Sequence, residues 1–199
     1  DGRGILYARQ LPSPGQERVV AIDIEWLDVD TGAVTLIREH AADPALSPDG
    51  TLLAYIDEPA LEPSLAVLQL DSGAVTILAG PATGLILPRR PLFSPDGDWI
   101  AFLTAGDGPQ VRARPIVTGS LSALRAVATL NGFQDIWLIR PNGDDLRRLT
   151  SFRFDSPDIA WSPDGSQILL YGPQEVFLID VPSGDFSIVG EGVTHGWVD

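Results

Sequence analysis

The stretch LSPDG (46–50) returns as FSPDG (93–97) and as WSPDG (161–165). Each Ser-Pro-Asp-Gly tetrad has the parts of a type I turn: Pro pre-sets φ at the second position, Asp tolerates the third, and Gly accepts the φ that closes the reversal. Two strands must meet there. The segments that follow, LLAYI (52–56), WIAFL (99–103) and ILLYG (168–172), are rich in the β-branched, aromatic and aliphatic residues of strands.

Aligned on the turn, Leu46, Phe93 and Trp161 share one column, Leu53, Ile100 and Ile168 a second, and Tyr55, Phe102 and Leu170 a third. The match is therefore a repeat. Asp1-Gly2 falls in register as the tail of an earlier copy, because DGRGILYA lies over DGTLLAYI without a gap. The turn Asp residues are then spaced by 48, 47 and 68 residues. The first two spacings fit the ~40–50 residues of a four-stranded propeller blade, and the third calls for an insertion in one loop.

Each period also holds a second hairpin: IEWLDVDTGAVTLI (24–37), SLAVLQLDSGAVTIL (64–78), DIWLIRPNGDDLRRLT (135–150) and EVFLIDVPSGDFSIV (175–189). Four strands per repeat follow. The pattern predicts an all-β chain, a β-propeller of four repeats of a four-stranded antiparallel blade, with repeats near 1–44, 45–91, 92–157 and 158–199 and an insertion at 109–134. Asn142-Gly143 reads as a two-residue type I′ loop. Asp28-Val29-Asp30-Thr31-Gly32 has the start of a calcium loop but lacks its later ligands, so it reads as a hairpin turn, as do the turns at Asp71, Asp144 and Asp145.

The pattern W-S-P-D-G-x-x-I-L (161–169), with I-W-L-I-R-P-N-G-x-x-L-R-R-L-T (136–150), resembles the repeats of TolB-type propellers, a WD40-like (PD40-repeat) family of bacterial extracytoplasmic proteins. The resemblance spans all four copies but not 109–134. It implies a rigid binding platform outside the cytoplasm, for a protein or peptide partner. Because related repeats also cap serine peptidases, it leaves a substrate-binding or gating propeller of a larger enzyme as the alternative.

At the other end, GVTHGWVD (192–199) aligns with the strand before the fourth turn, Trp197 falling in the column of Trp161. Two architectures meet that register. Either the last strand completes the first blade and closes a four-bladed ring, or the chain is an arc of a larger propeller, which the six blades usual in TolB-like proteins favour. Trp161, as a core anchor, would be worth about 3–5 kcal/mol on truncation to Ala.

Composition bounds function. The net charge is −14, every basic residue is Arg, and such a field opposes nucleic acid and anionic lipid as partners. No apolar run approaches the ~18 residues of a membrane helix. There is no Cys and only His40 and His195, so thiolate sites and HExxH zinc sites are out of reach, and TGSLS (118–122) lacks the frame of a nucleophile elbow. No cofactor, metal or catalytic residue is expected within the chain.

The insertion, with Arg112, Arg114, Arg125 and a helix-compatible SLSALRAVATL (120–130), is a candidate docking element in an acidic protein. Arg89 and Arg90, in PRRP (88–91) just before the inner strand of the third copy, are candidate anion contacts.

Overall fold

The computed structural model describes residues 3–12, 19–57, 62–105, 133–151, 154–155, 157–171 and 175–191. Their strands form four antiparallel sheets in chain order. Sheet 1 holds β1 (Gly4–Pro12), β2 (Val19–Asp28) and β3 (Val34–Arg38); sheet 2 holds β4 (Ala41–Leu46), β5 (Leu52–Asp57), β6 (Ser64–Gln69) and β7 (Val75–Ala79). Sheet 3 holds β8 (Ile86–Phe93), β9 (Ile100–Ala105), β10 (Phe133–Ile139) and β11 (Arg147–Arg148), with the short β12 (Phe154–Asp155) also on β10. Sheet 4 holds β13 (Asp158–Trp161), β14 (Gln167–Tyr171), β15 (Glu175–Asp180) and β16 (Phe186–Glu191). By alignment β1 corresponds to β5, so the described part of sheet 1 has no counterpart of β4.

The repeated turn is one hydrogen-bonded unit in all three copies. In the first, Gly50 N–H donates to Ser47 O at 2.9 Å and Ser47 N–H to Leu52 O at 2.9 Å. Ser47 Oγ donates to Asp49 Oδ1 at 2.6 Å and accepts from Leu52 N–H at 2.9 Å, while Thr51 N–H donates to the same carboxylate. Gly50, Gly97 and Gly165 take φ of 72°, 78° and 73°, which is why a side-chain-free residue closes each turn. Ser47, Ser94 and Ser162 are buried, so each hydroxyl needs the partners it has.

These bonds favour the ionised carboxylate. The Ser162 hydroxyl, then Ser166 N–H and Oγ, lower Asp164 from the usual 3.8 to about 2, and Asp49 and Asp96 are lowered for the same reason. A carboxylate depressed in the folded state stabilises above its unfolded pKa, and the gain is lost as pH falls through the folded one. Thermal stability should therefore drop between pH 4 and about pH 2, and Asp164→Asn should flatten that slope in melts recorded against pH. An unchanged slope would contradict the reading.

The third sheet's hairpin differs from the expected type I′ loop. Gly143 N–H donates to Arg140 O and Arg140 N–H to Asp144 O, both at 2.9 Å, and Gly143 has φ 94° while Asn142 is not left-handed. Pro141 explains this: a two-residue loop at Asn142-Gly143 would make it the flanking strand residue, whose N–H must pair with Asp144, and it has none, whereas its fixed φ suits the first central position of a type I turn. The loop is a type I turn closed by a left-handed glycine. At Asp28 the chain makes the expected hairpin, with Asp28 Oδ1 accepting from Asp30 and Thr31 N–H.

Strand alternation sends successive residues to opposite sheet faces, and each face meets a neighbouring sheet. Leu53 and Tyr55 pack with Ile24 of sheet 1, while Ala54 and Ile56, one residue over, pack with Ile100, Phe102 and Trp137 of sheet 3. Ala101 and Leu103 then pack with Ile168, Leu170 and Phe177 of sheet 4. The core is thus three apolar layers between four sheets. The turns follow suit: Pro48 lies against Gly97, and Pro95 against Gly165, each at 3.5 Å from where a Cβ would stand.

Trp161 sits at the margin of the third layer, half-buried, its Nε1–H donating to Leu92 O across the sheets at 3.1 Å. It is a bridge more than an anchor. Trp161→Ala should cost about 2–3 kcal/mol in denaturant unfolding, below the range for a fully buried aromatic.

Candidate interaction surface at the loop end

Every repeated turn, and every hairpin turn joining the last two strands of a sheet, lies at one end of the sheets, because the strands are antiparallel and the connections alternate. Among the described residues the opposite end carries the connections 39–40 and 80–85, which are unlike one another in length and form. Loops free of repeat constraints are where binding side chains accumulate on a rigid scaffold.

β4 and β8, the first strands of sheets 2 and 3, lie against each other and are irregular toward this end. His40 and Asp43, and 47 residues later Leu87 and Arg90, have φ of 50–53°, and the pairing with β5 and β9 shifts register there. The kinks place one column of charge across three sheets. Arg90 N–H donates to Asp43 Oδ2 at 2.8 Å, and the Arg90 guanidinium pairs with Asp158. Hydrogen bonding to Asp158 raises the Arg90 pKa further above an already high value, so this side chain stays cationic. His40 N–H is held by Asp23 Oδ1 at 3.0 Å in the same manner, from sheet 1.

A second polar cluster lies where β10 begins. Arg89 Nε donates to Gln134 Oε1, and Arg148 Nη2 to Asp135 Oδ2, both at 2.5 Å. Thr150 Oγ1 donates to Asp135 Oδ1 at 3.1 Å and accepts from Ile136 N–H at 3.0 Å. Gln134, Asp135 and Thr150 are buried, so the insertion's return point is pinned by a satisfied network. Between sheets 1 and 2 a cleft of about 430 Å³ is lined by Leu36, Ile37, Arg38, Glu39, His40 and Asp57. There Arg38 lies 5.7 Å from the Tyr55 ring centre and 3.3 Å from Asp57. Among the described residues no three His, Asp or Glu side chains group to hold a metal ion.

Of the sequence candidates, Arg89 and Arg90 stand within β8, not before it, and both engage the protein's own side chains. Arg112, Arg114 and Arg125 lie outside the described residues, as does the segment 120–130. Sequence reasoning missed Asp43 and Asp158. They were in reach: each stands four residues before its turn Ser, as Arg90 does before Ser94.

No protein-family model matches the chain. It is 28% identical over 155 residues to a TolB homologue of Chlorobium luteolum, covering 76% of the chain and 29% of that protein. It is 28% identical over 145 residues to the uncharacterized peptidase YuxL of Bacillus subtilis, covering 66% of the chain and 22% of the peptidase. The chain thus spans less than a third of these relatives. Among solved structures, TolB from Acinetobacter baumannii superposes with a TM-score of 0.67 at 19% identity, over 94% of this chain and 41% of that one. An acylaminoacyl peptidase of Pyrococcus horikoshii superposes at 0.60 and 15% identity, over 96% and 31%. Repeated turns, sheets stacked face to face and these likenesses together give the chain a β-propeller fold, similar to that of TolB.

Proposed function

We propose that the chain is part of a non-enzymatic extracytoplasmic propeller that holds a protein or peptide partner at its loop end. One observation carries this: the two ends are built differently. The turn end is short, repeated and saturated with its own hydrogen bonds, whereas the loop end combines dissimilar connections, a charged column and a cleft. A surface on which each sheet contributes a different side chain suits recognition of a folded or extended polypeptide. The resemblance to TolB-type repeats supports that compartment.

Photoreactive residues at Glu39 and Ala82, both exposed at the loop end, should give discrete adducts in cells expressing the full-length protein. The same residues at Thr51 and Ser72, exposed at the turn end, should not. Adducts from the turn end alone would reject the proposal. The peptidase likenesses favour a second reading, a propeller that gates a hydrolase domain. Turnover of acylated peptides by the full-length protein would select it.

A further inference from the structure

The last strands of sheets 1, 2 and 4 expose apolar side chains in one column: Val34 and Leu36, Val75 and Ile77, Phe186 and Ile188 are between 40% and 56% exposed. Sheet 3 departs from them, since its last strand is two residues long and both are Arg. Short, charged edges discourage strand pairing with strangers, whereas long apolar ones invite it. Of the three open edges β16 is the most accessible. Phe186, Ile188 and Val189 are 50%, 56% and 54% exposed, and a Cβ at Gly190 would meet nothing within 4 Å. The sheet order ends at β16, so among the described residues no strand pairs with its outer side.

Charge selects the kind of strand that fits. From Phe154 to Asp199 the sequence has eight carboxylates and no Arg or Lys, with Asp185 and Glu191 bracketing the apolar residues of the edge. A second copy would bring the same −14 to the interface and be repelled. We infer that the outer edge of β16 accepts an extended strand of a protein partner, its alternate side chains apolar and its flanks Arg or Lys. Backbone pairing supplies the attraction, and Phe186 and Ile188 supply the register. This surface lies on the outer rim, apart from the loop end, and stands or falls independently of the function proposed there.

The test uses the full chain and a labelled nine-residue peptide, Val-Thr-Val-Thr-Val between Arg pairs, with a twin in which Glu replaces Arg. By fluorescence anisotropy the Arg peptide should bind, more weakly as salt rises, and the Glu twin should not. Ile188→Arg should weaken binding at least about tenfold while leaving the circular dichroism melt unchanged. A photoreactive residue at Ser187 should attach to the Arg peptide, a readout that does not depend on the folding of Ile188→Arg. Equal binding of the twins, failure of Ser187 to crosslink, or self-association through this edge in sedimentation would overturn the inference.

Discussion

Replacing Phe102 by Ala is expected to lower the unfolding free energy by about 3–5 kcal/mol. Phe102 is fully buried in the layer between sheets 2 and 3, with Ala54, Ile56, Leu65 and Val67 on one side of that layer and Trp137 and Ile139 beside it. Sheets of this kind cannot cover both faces alone, so the loss falls on the coupling between neighbours as well as on one side chain. Against the ~5–15 kcal/mol of an ordinary domain the loss is large. Phe93→Ala, at a partly buried position of the same layer, should cost less in parallel urea titrations. A Phe102→Ala midpoint indistinguishable from wild type would show that the layers do not carry the stability.

Asp135→Ala should be the next most damaging change, at about 2–4 kcal/mol, toward the lower part of the range for severed buried pairs because 27% of the Arg148 side chain remains in water. The substitution removes a carboxylate partner of Arg148 and an acceptor for Thr150 Oγ1, whose oxygen in turn holds Ile136 N–H. Asp135→Asn keeps an acceptor for Thr150 and should cost less. Removing both partners, as Asp135→Ala with Arg148→Ala, should recover part of the loss, since the part-buried charge then goes with the carboxylate it faces. Strict additivity in that double-mutant cycle would mean that the two side chains do not act as a pair.

Much of the fold was legible before any coordinates. The Ser-Pro-Asp-Gly turns, the sheet order and the column assignments of Leu53, Tyr55, Phe102 and Leu170 all follow from local chemistry and from period-two alternation, which act over a few residues. The type I′ reading of Asn142-Gly143 failed within that same local range, because the dipeptide was read without the Pro141 before it.

The candidate surface was less legible. Arg90 attracted attention as a cation, yet its meaning depends on Asp43, 47 residues earlier, and on Asp158, 68 residues later. Likewise Asp135 and Arg148 read as ordinary strand positions until β10 and β11 stand side by side.

The sequence by itself determined the repeat, the number of strands in each period and which residues of each strand share a face, because turn formation and alternation are properties of short segments. The tertiary structure alone decided which charges meet and which edges stay open. Those depend on distances between sheets, set by how side chains from several repeats fill a shared layer, and no single repeat encodes them.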